Sequence, residues 1–251
     1  MTESYASLGR FGVGVPQSNP TVEAELGVLL PRTASLHVTR LTSSAADPFD
    51  RLRRYLADLP IYLKDFDGLK LAAFAFACTG SSYLLGVDEE AKVAESCATK
   101  FGYPIALAAD SIVWALEKLN ARNIAVIAPY PAALIEAGHH YLEARGVQVA
   151  ALERVITSTA DTRSIYLTGI ADARAALARL PKRGIDAILI SGTGMPTLGA
   201  VDTHGLPPII SSNLCVAARA LELAGKRDVL DGRGLEPMGW RMRLEEALGR
   251  G

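Results

Sequence analysis

The sequence predicts an α/β protein of two pseudo-symmetric lobes, each a short, mostly parallel sheet flanked by helices, with a functional cleft between them. Three observations predict it. Short, wholly apolar runs alternate with longer amphipathic segments along most of the chain, as a parallel sheet covered on both faces requires. The 251 residues are 49% hydrophobic and 21% charged, enough apolar side chain for two compact halves. Three segments of the first half also recur, in the same order, in the second.

The elements follow from composition and punctuation. Residues 11–15 and 35–41 read as strands, and an amphipathic helix covers about 49–64 after a polar stretch. Residues 69–76 form a buried strand, and a helix over 88–101 ends at Gly102. Residues 105–108 and 124–128 are strands on either side of a helix over 110–119. A helix over 132–145 ends at Gly146, and a strand covers 147–155. Residues 168–180 are mostly helical, 187–190 and 209–211 are strands, and a long helix covers about 214–224. The charged tail from 226 to 251 carries no clear element.

The repeats align these elements. Phe11-Gly-Val-Gly-Val-Pro16 is echoed by Ile124-Ala-Val-Ile-Ala-Pro129, and residues 71–80 by residues 185–194. Pro104-Ile105 before a helix is echoed by Pro208-Ile209 before another. The expected division is one lobe of 1–112 with 214–251 and a second of 113–213. A pseudo-twofold between them sets Cys78-Thr79-Gly80 against Gly192-Thr193-Gly194 across the cleft.

Several function classes are excluded. Net charge is −1 and no basic stripe is interleaved with aromatics, which argues against nucleic-acid partners. Apolar runs such as 71–76 fall far short of the roughly 20 residues that span a bilayer. The opening Met-Thr-Glu-Ser lacks a basic region followed by an apolar one, so a cytoplasmic protein with no membrane partner is expected. Cysteines at 78, 97 and 215 and histidines at 37, 139, 140 and 204 make neither a disulfide framework nor a metal-ligand spacing. His139-His140 reads as a solvated pair. The segment from Gly12 to Pro20 lacks the third glycine of a dinucleotide loop, and Pro16 and Pro20 interrupt the helix start such a loop needs. No cofactor and no metal are expected.

The chemistry-bearing candidates lie at strand ends. Cys78-Thr79-Gly80-Ser81-Ser82 follows a buried strand, where open α/β sheets bind ligands. Small residues there let backbone N–H groups face an anion and lower the pKa of a thiol; the competing reading is a buried cysteine acting as a small hydrophobe. Cys97 and Cys215, on helices, read as packing residues. Gly192-Thr193-Gly194 is either the matching strand end, able to approach a ligand closely, or a plain glycine-rich turn. Asn19 reads as an amide donor to a carboxylate or as a turn residue, and Tyr130 as a phenolic donor or as a core tyrosine.

Together these pieces resemble the aspartate/glutamate racemase superfamily, and within it the maleate cis-trans isomerase and arylmalonate decarboxylase branch, over about residues 10–225. Pro16-Gln-Ser-Asn19 looks like the Pro-Ser-Ser-Asn stretch that contacts a substrate carboxylate in the isomerases, and His37-Val-Thr-Arg40-Leu also looks like that branch. Cys78 matches the first-lobe nucleophile, Pro129-Tyr130 a carboxylate-binding tyrosine, and Ser211-Ser212-Asn213 the lobe-closing strand end. The resemblance thus implies a small carboxylate substrate, Cys78 as the catalytic residue, and Pro16, Asn19, Thr79, Gly80, Tyr130, Gly192, Thr193, Gly194 and Asn213 as binding residues. It also implies a homodimer. His37, Arg40 and Met195 are further candidates for shaping the pocket, without naming the substrate.

One departure stands out. The family's second cysteine falls at Gly192, so two-base racemisation is disfavoured: Thr193 is far too weak an acid to replace a thiol. Cofactor-independent isomerisation of an unsaturated dicarboxylate, with Cys78 as nucleophile, is the leading expectation. The alternative is decarboxylation of a malonate-type acid with Cys78 as proton donor. Because decarboxylases of the branch carry their single cysteine in the second lobe, that reading implies protonation of the opposite prochiral face. A third expectation is a degenerate member that binds a carboxylate without turnover.

Overall fold

The computed structural model describes residues 5–202, 204–205 and 207–250. It contains two four-stranded sheets of the same order. In the first, β1 (Gly9–Pro16) lies between β2 (Ala34–Leu41) and β3 (Ala73–Phe76), with β4 (Ile105–Leu107) outside β3. In the second, β5 (Asn123–Ala128) lies between β6 (Gln148–Arg154) and β7 (Ala187–Ile190), with β8 (Ile209–Ser211) outside β7. Every pairing is parallel. The three sequence echoes are therefore the strand pairs β1/β5, β3/β7 and β4/β8. β3 and β7 are buried along their whole length, which is why they read as unbroken apolar runs.

The helices confirm most expectations and correct some. α5 (Val87–Phe101) ends at Gly102 in the left-handed region, φ 77°. α6 (Ala108–Lys118), α7 (Ala132–Ala144), α8 (Ile170–Arg179) and α9 (Ser212–Leu223) lie where the periodicity sets them. The helix expected over 49–64 is broken. Asp47 caps α2 (Pro48–Ala57) by accepting from the amides of Phe49 and Asp50, and the chain restarts as α3 (Leu59–Tyr62) and a 3₁₀ turn (Leu63–Phe66). Pro60 causes the break: it has no N–H, and its ring collides with the carbonyl four residues back. The strand expected from 69 pairs with β1 only from Ala73, and the Leu71 side chain packs against Gly12 at the sheet's end.

Three helices had no boundaries in the sequence reading: α1 (Thr21–Leu29), α4 (Thr79–Leu85) and α10 (Trp240–Ala247). Trp240, 1% exposed, anchors the last of these and donates its indole N–H to Glu236 at 2.6 Å. Arg243 then donates to the carbonyls of Val28 and Leu29 at the end of α1. α9 leaves the second sheet and packs against α6, α1, β3 and β4 of the first. The carboxyl ends of β3 and β7 thereby face each other. Among the described residues, no helix is long and apolar enough to cross a membrane and no cluster of His, Cys, Asp and Glu could hold a metal ion.

Candidate active site

Cys78 occupies the turn between β3 and α4, as the residue that caps α4. Cys78 is 5% exposed and lines a small cavity of about 40 Å³. Ser81 Oγ lies 3.1 Å from Cys78 Sγ and 2.7 Å from the carbonyl oxygen of Leu52. One hydroxyl proton serves one acceptor at a time. A thiol can therefore donate to Ser81 while Ser81 donates to Leu52; for a thiolate, Ser81 turns to the sulfur. The backbone N–H groups of Ser81 and Gly80 also point at Sγ.

The thiol's acidity corrects the sequence reading. Burial pushes Cys78 above the ordinary thiol value, and this outweighs the Ser81 hydroxyl, the Ser81 and Gly80 amides and the charge of Arg51, all of which favour the thiolate. A strand-end position predicts the donors. It does not predict how deeply the sulfur is covered.

Asn19 sits across the cavity, 2% exposed. Its Oδ1 accepts from the amides of Thr21 at 2.9 Å and Val22 at 3.2 Å, so the side chain caps α1. That bond pattern fixes the amide's orientation and leaves Nδ2 buried without a partner. A buried, unsatisfied donor is costly unless a ligand meets it.

The second lobe supplies the facing wall. Gly192 has φ 117°, and a Cβ there would lie 3.1 Å from the hydroxyl of Tyr130. The phenol thus stands where a second-lobe side chain would begin. Burial raises Tyr130 well above the usual phenol value, and the nearby Tyr83 and Cys78 add to the rise, so it stays a neutral donor. Thr193 spends its hydroxyl proton on the carbonyl of Ala77 at 2.7 Å, tying the two strand ends together. Ser212 accepts from the Gly192 amide at 2.9 Å and from Thr79 Oγ1 at 3.2 Å, a second tie.

A cover completes the cavity. Thr162, Ile165 and Tyr166, in the 3₁₀ segment before α8, line it together with Leu52 and Leu134. Arg51 of α2, 4% exposed, reaches this segment through an ion pair with Asp161 at 2.6 Å. Arg163 also holds Asp161 and draws its carboxyl down to about 2.

Of the residues the sequence singled out, the structure brings Pro16, Asn19, Cys78, Thr79, Gly80, Tyr130, Gly192, Thr193 and Gly194 around this one cavity. Asn213 does not line it. Its amide is turned away, donating to Glu25 at 2.7 Å and to the carbonyl of Thr193 at 3.1 Å. His37, Arg40 and Met195 do not line it either: His37 bonds Ser35, Arg40 pairs with Glu23, and Met195 is fully buried. Cys97 and Cys215 are buried packing residues, as expected.

The sequence pattern of the arylmalonate decarboxylase family matches residues 38–235. The chain belongs to that family. The maleate isomerase of Nocardia farcinica is 30% identical over 207 residues, spanning 77% of this chain and 80% of that one. The maleate isomerase of Pseudomonas putida is 22% identical over 253 residues, spanning 93% and 97%. Among solved structures, a variant of the Nocardia farcinica maleate cis-trans isomerase with a covalently bound succinylcysteine intermediate superposes with a TM-score of 0.80 at 24% identity, over 90% of this chain and 98% of that one. Unliganded arylmalonate decarboxylase superposes with a TM-score of 0.72 at 18% identity, over 86% and 92%. At these identities the structural likeness shows the shared fold. Membership in the arylmalonate decarboxylase family makes this chain an enzyme of the isomerase or lyase kind.

Sequence reasoning missed Arg51, Leu52, Leu134 and the 162–166 cover. Arg51 sits in an amphipathic helix among other charges, where an arginine reads as solvated. Its burial depends on Asp161, far along the chain.

Proposed function

We propose that the protein is a cofactor-independent cis–trans isomerase of a small unsaturated dicarboxylate, of which maleate is the example its relatives are named for, with Cys78 as nucleophile. The cavity is small, which suits a molecule of few heavy atoms. Cys78 thiolate adds to one alkene carbon: the C–S bond forms, and the π pair moves onto the carboxylate beyond the other carbon. The former double bond is now single and rotates. The pair returns, the C–S bond breaks, and the trans diacid leaves with the thiolate restored.

No net proton or electron is exchanged, so one thiol suffices and Gly192 opposite it is no obstacle. Asn19 Nδ2 and the Tyr130 hydroxyl are the donors available to the charge that develops on the carboxylate. The buried, unpartnered Asn19 amide sharing a cavity with the Cys78 sulfur is the observation that carries this reading.

The family match and the apolar side chains of Leu52, Leu134 and Ile165 favour a second reading, loss of carbon dioxide from a substituted malonate with Cys78 delivering a proton. Incubation with maleate in heavy water, followed by NMR, separates the two. Fumarate formed without deuterium at carbon supports isomerisation. No fumarate, with carbon dioxide released from an arylmalonate, supports decarboxylation. Neither reaction, with a dicarboxylate still raising the melting temperature, supports a binding protein without turnover.

We also assign residues 1–112 with 214–251 to one lobe and 113–213 to the other. The return of α9 onto β3 and β4 supports that division.

A further inference from the structure

We propose that Glu25 is a positioning residue that sets the gap between the two halves of the anion cradle, by holding the Gly192-Thr193-Gly194 strand end against the helix whose first turn presents Asn19. This rests on the proposed reading of the cavity and extends it to a residue outside the cavity lining.

Glu25 lies on α1, buried at 7% exposure. Its Oε1 accepts from the amides of Thr197 and of Leu198, the latter at 2.9 Å. Its Oε2 accepts from Asn213 Nδ2 at 2.7 Å, and the Thr197 hydroxyl lies 3.2 Å from both oxygens. Every partner is a donor, which favours the ionised carboxylate, although burial outweighs them and holds the carboxyl above its ordinary value; an amide in its place would turn one N–H₂ donor toward another. A buried carboxylate is expensive unless fully bonded, so a neutral tie would be the cheaper way merely to join α1 to a loop. A carboxylate can gather four donors from two segments at one point.

The clamp has two further arms. Thr21 Oγ1, one turn earlier on α1, donates to the Gly194 carbonyl at 2.8 Å. Asn213, held by Glu25, donates its other amide hydrogen to the Thr193 carbonyl at 3.1 Å. The same first turn of α1 is capped by Asn19 Oδ1, which leaves Asn19 Nδ2 without a partner in a residue that lines the cavity. Glu25 therefore joins the donor on one side of the cavity to the glycine-rich wall on the other. Cys78 meets that wall through the Thr193–Ala77 and Ser212–Thr79 bonds and is held on its own side by β3 and Ser81; Glu25 makes none of these contacts.

The test compares Glu25→Ala and Glu25→Gln with the wild type in three measurements. These are amide hydrogen exchange, KM and kcat for maleate, and alkylation of Cys78 by iodoacetamide with and without succinate. In Glu25→Ala, exchange at Thr197 and Leu198 should quicken by about tenfold or more, while Thr21 and Val22 keep their protection. KM should rise about tenfold with kcat changed less than about threefold, and succinate should protect Cys78 correspondingly less. Alkylation without succinate should match the wild type. Glu25→Gln keeps an oxygen for both backbone amides and should fall between the two.

Unchanged exchange at Thr197 and Leu198 in Glu25→Ala overturns the clamp, whatever the substrate. Lost exchange protection with unaltered KM and unaltered succinate protection overturns the positioning role. A wild type that neither converts maleate nor gains protection from succinate overturns the isomerase reading, and exchange then decides the clamp alone. Should Glu25→Ala fail to fold, Glu25→Gln and Asn213→Ala each remove one arm and carry the same comparison.

Discussion

Asn19→Asp separates two jobs that one side chain performs. The aspartate keeps an Oδ1 for the amides of Thr21 and Val22, so the cap of α1 survives. The unpartnered Nδ2, the only donor this side chain offers the cavity, becomes an acceptor oxygen. A hydrogen bond to a charged group contributes about 1.5–3 kcal/mol, and a second negative charge adds repulsion. Dicarboxylate affinity should therefore fall by about 10²-fold or more. Asn19→Ala loses the cap as well, at about 1 kcal/mol of stability. For a chain of this length that lowers the melting temperature by about 2–4 °C. The assay is KM for maleate, or protection of Cys78 from iodoacetamide by succinate, alongside thermal melts of both variants. An Asn19→Asp protein that binds the diacid within about threefold of wild type would refute the assignment of Nδ2 as an anion donor.

Three other outcomes are expected. Because burial raises the Cys78 thiol, its alkylation by iodoacetamide should keep accelerating as pH rises past about 8.5; a plateau below pH 8 would contradict this. Gly192→Ala must place a Cβ at φ 117° and 3.1 Å from the Tyr130 hydroxyl, at a cost of about 1–2 kcal/mol or more, and a melting temperature equal to wild type would show that the strand end has slack. Glu90, 2% exposed and bonded by the Tyr141 hydroxyl, has its carboxyl raised by burial to about 7. The folded state therefore holds that proton more tightly than the unfolded chain, and stability falls as pH climbs from about 4.5 to 7 by up to about 3 kcal/mol. Glu90→Gln should match wild type near pH 4.5 and exceed it at pH 8; parallel stability curves across that range would refute the account.

How much of this was legible in the sequence depended on whether the signal was local. β1, β3 and β4 and their counterparts could be read because buried parallel strands leave contiguous apolar runs, and Gly102 and Gly146 mark helix ends. α1 was harder: Asn19-Pro20 resembles a turn as much as a cap, Gly27 inside the helix reads as a helix breaker, and the apolar positions surround it rather than forming one stripe. Cys78, Asn19, Tyr130 and Gly192 could be found because each follows a recognisable strand end. Asn213 follows an equally recognisable strand end, but its amide is turned by Glu25, far away in sequence, and by the Thr193 carbonyl. The acidity of Cys78 was misread for a similar reason. Its donors are near neighbours, whereas Thr162, Ile165 and Tyr166, which help to enclose its cavity, lie far along the chain.

The Arg51–Asp161 pair has a consequence for the cleft. Arg51 already biases the sulfur toward its ionised form while sharing its charge with a carboxylate on the cover. Because that carboxylate and the lining residues Thr162, Ile165 and Tyr166 belong to one short stretch, the charge balance at the sulfur and the wall of its chamber are set by the same few residues.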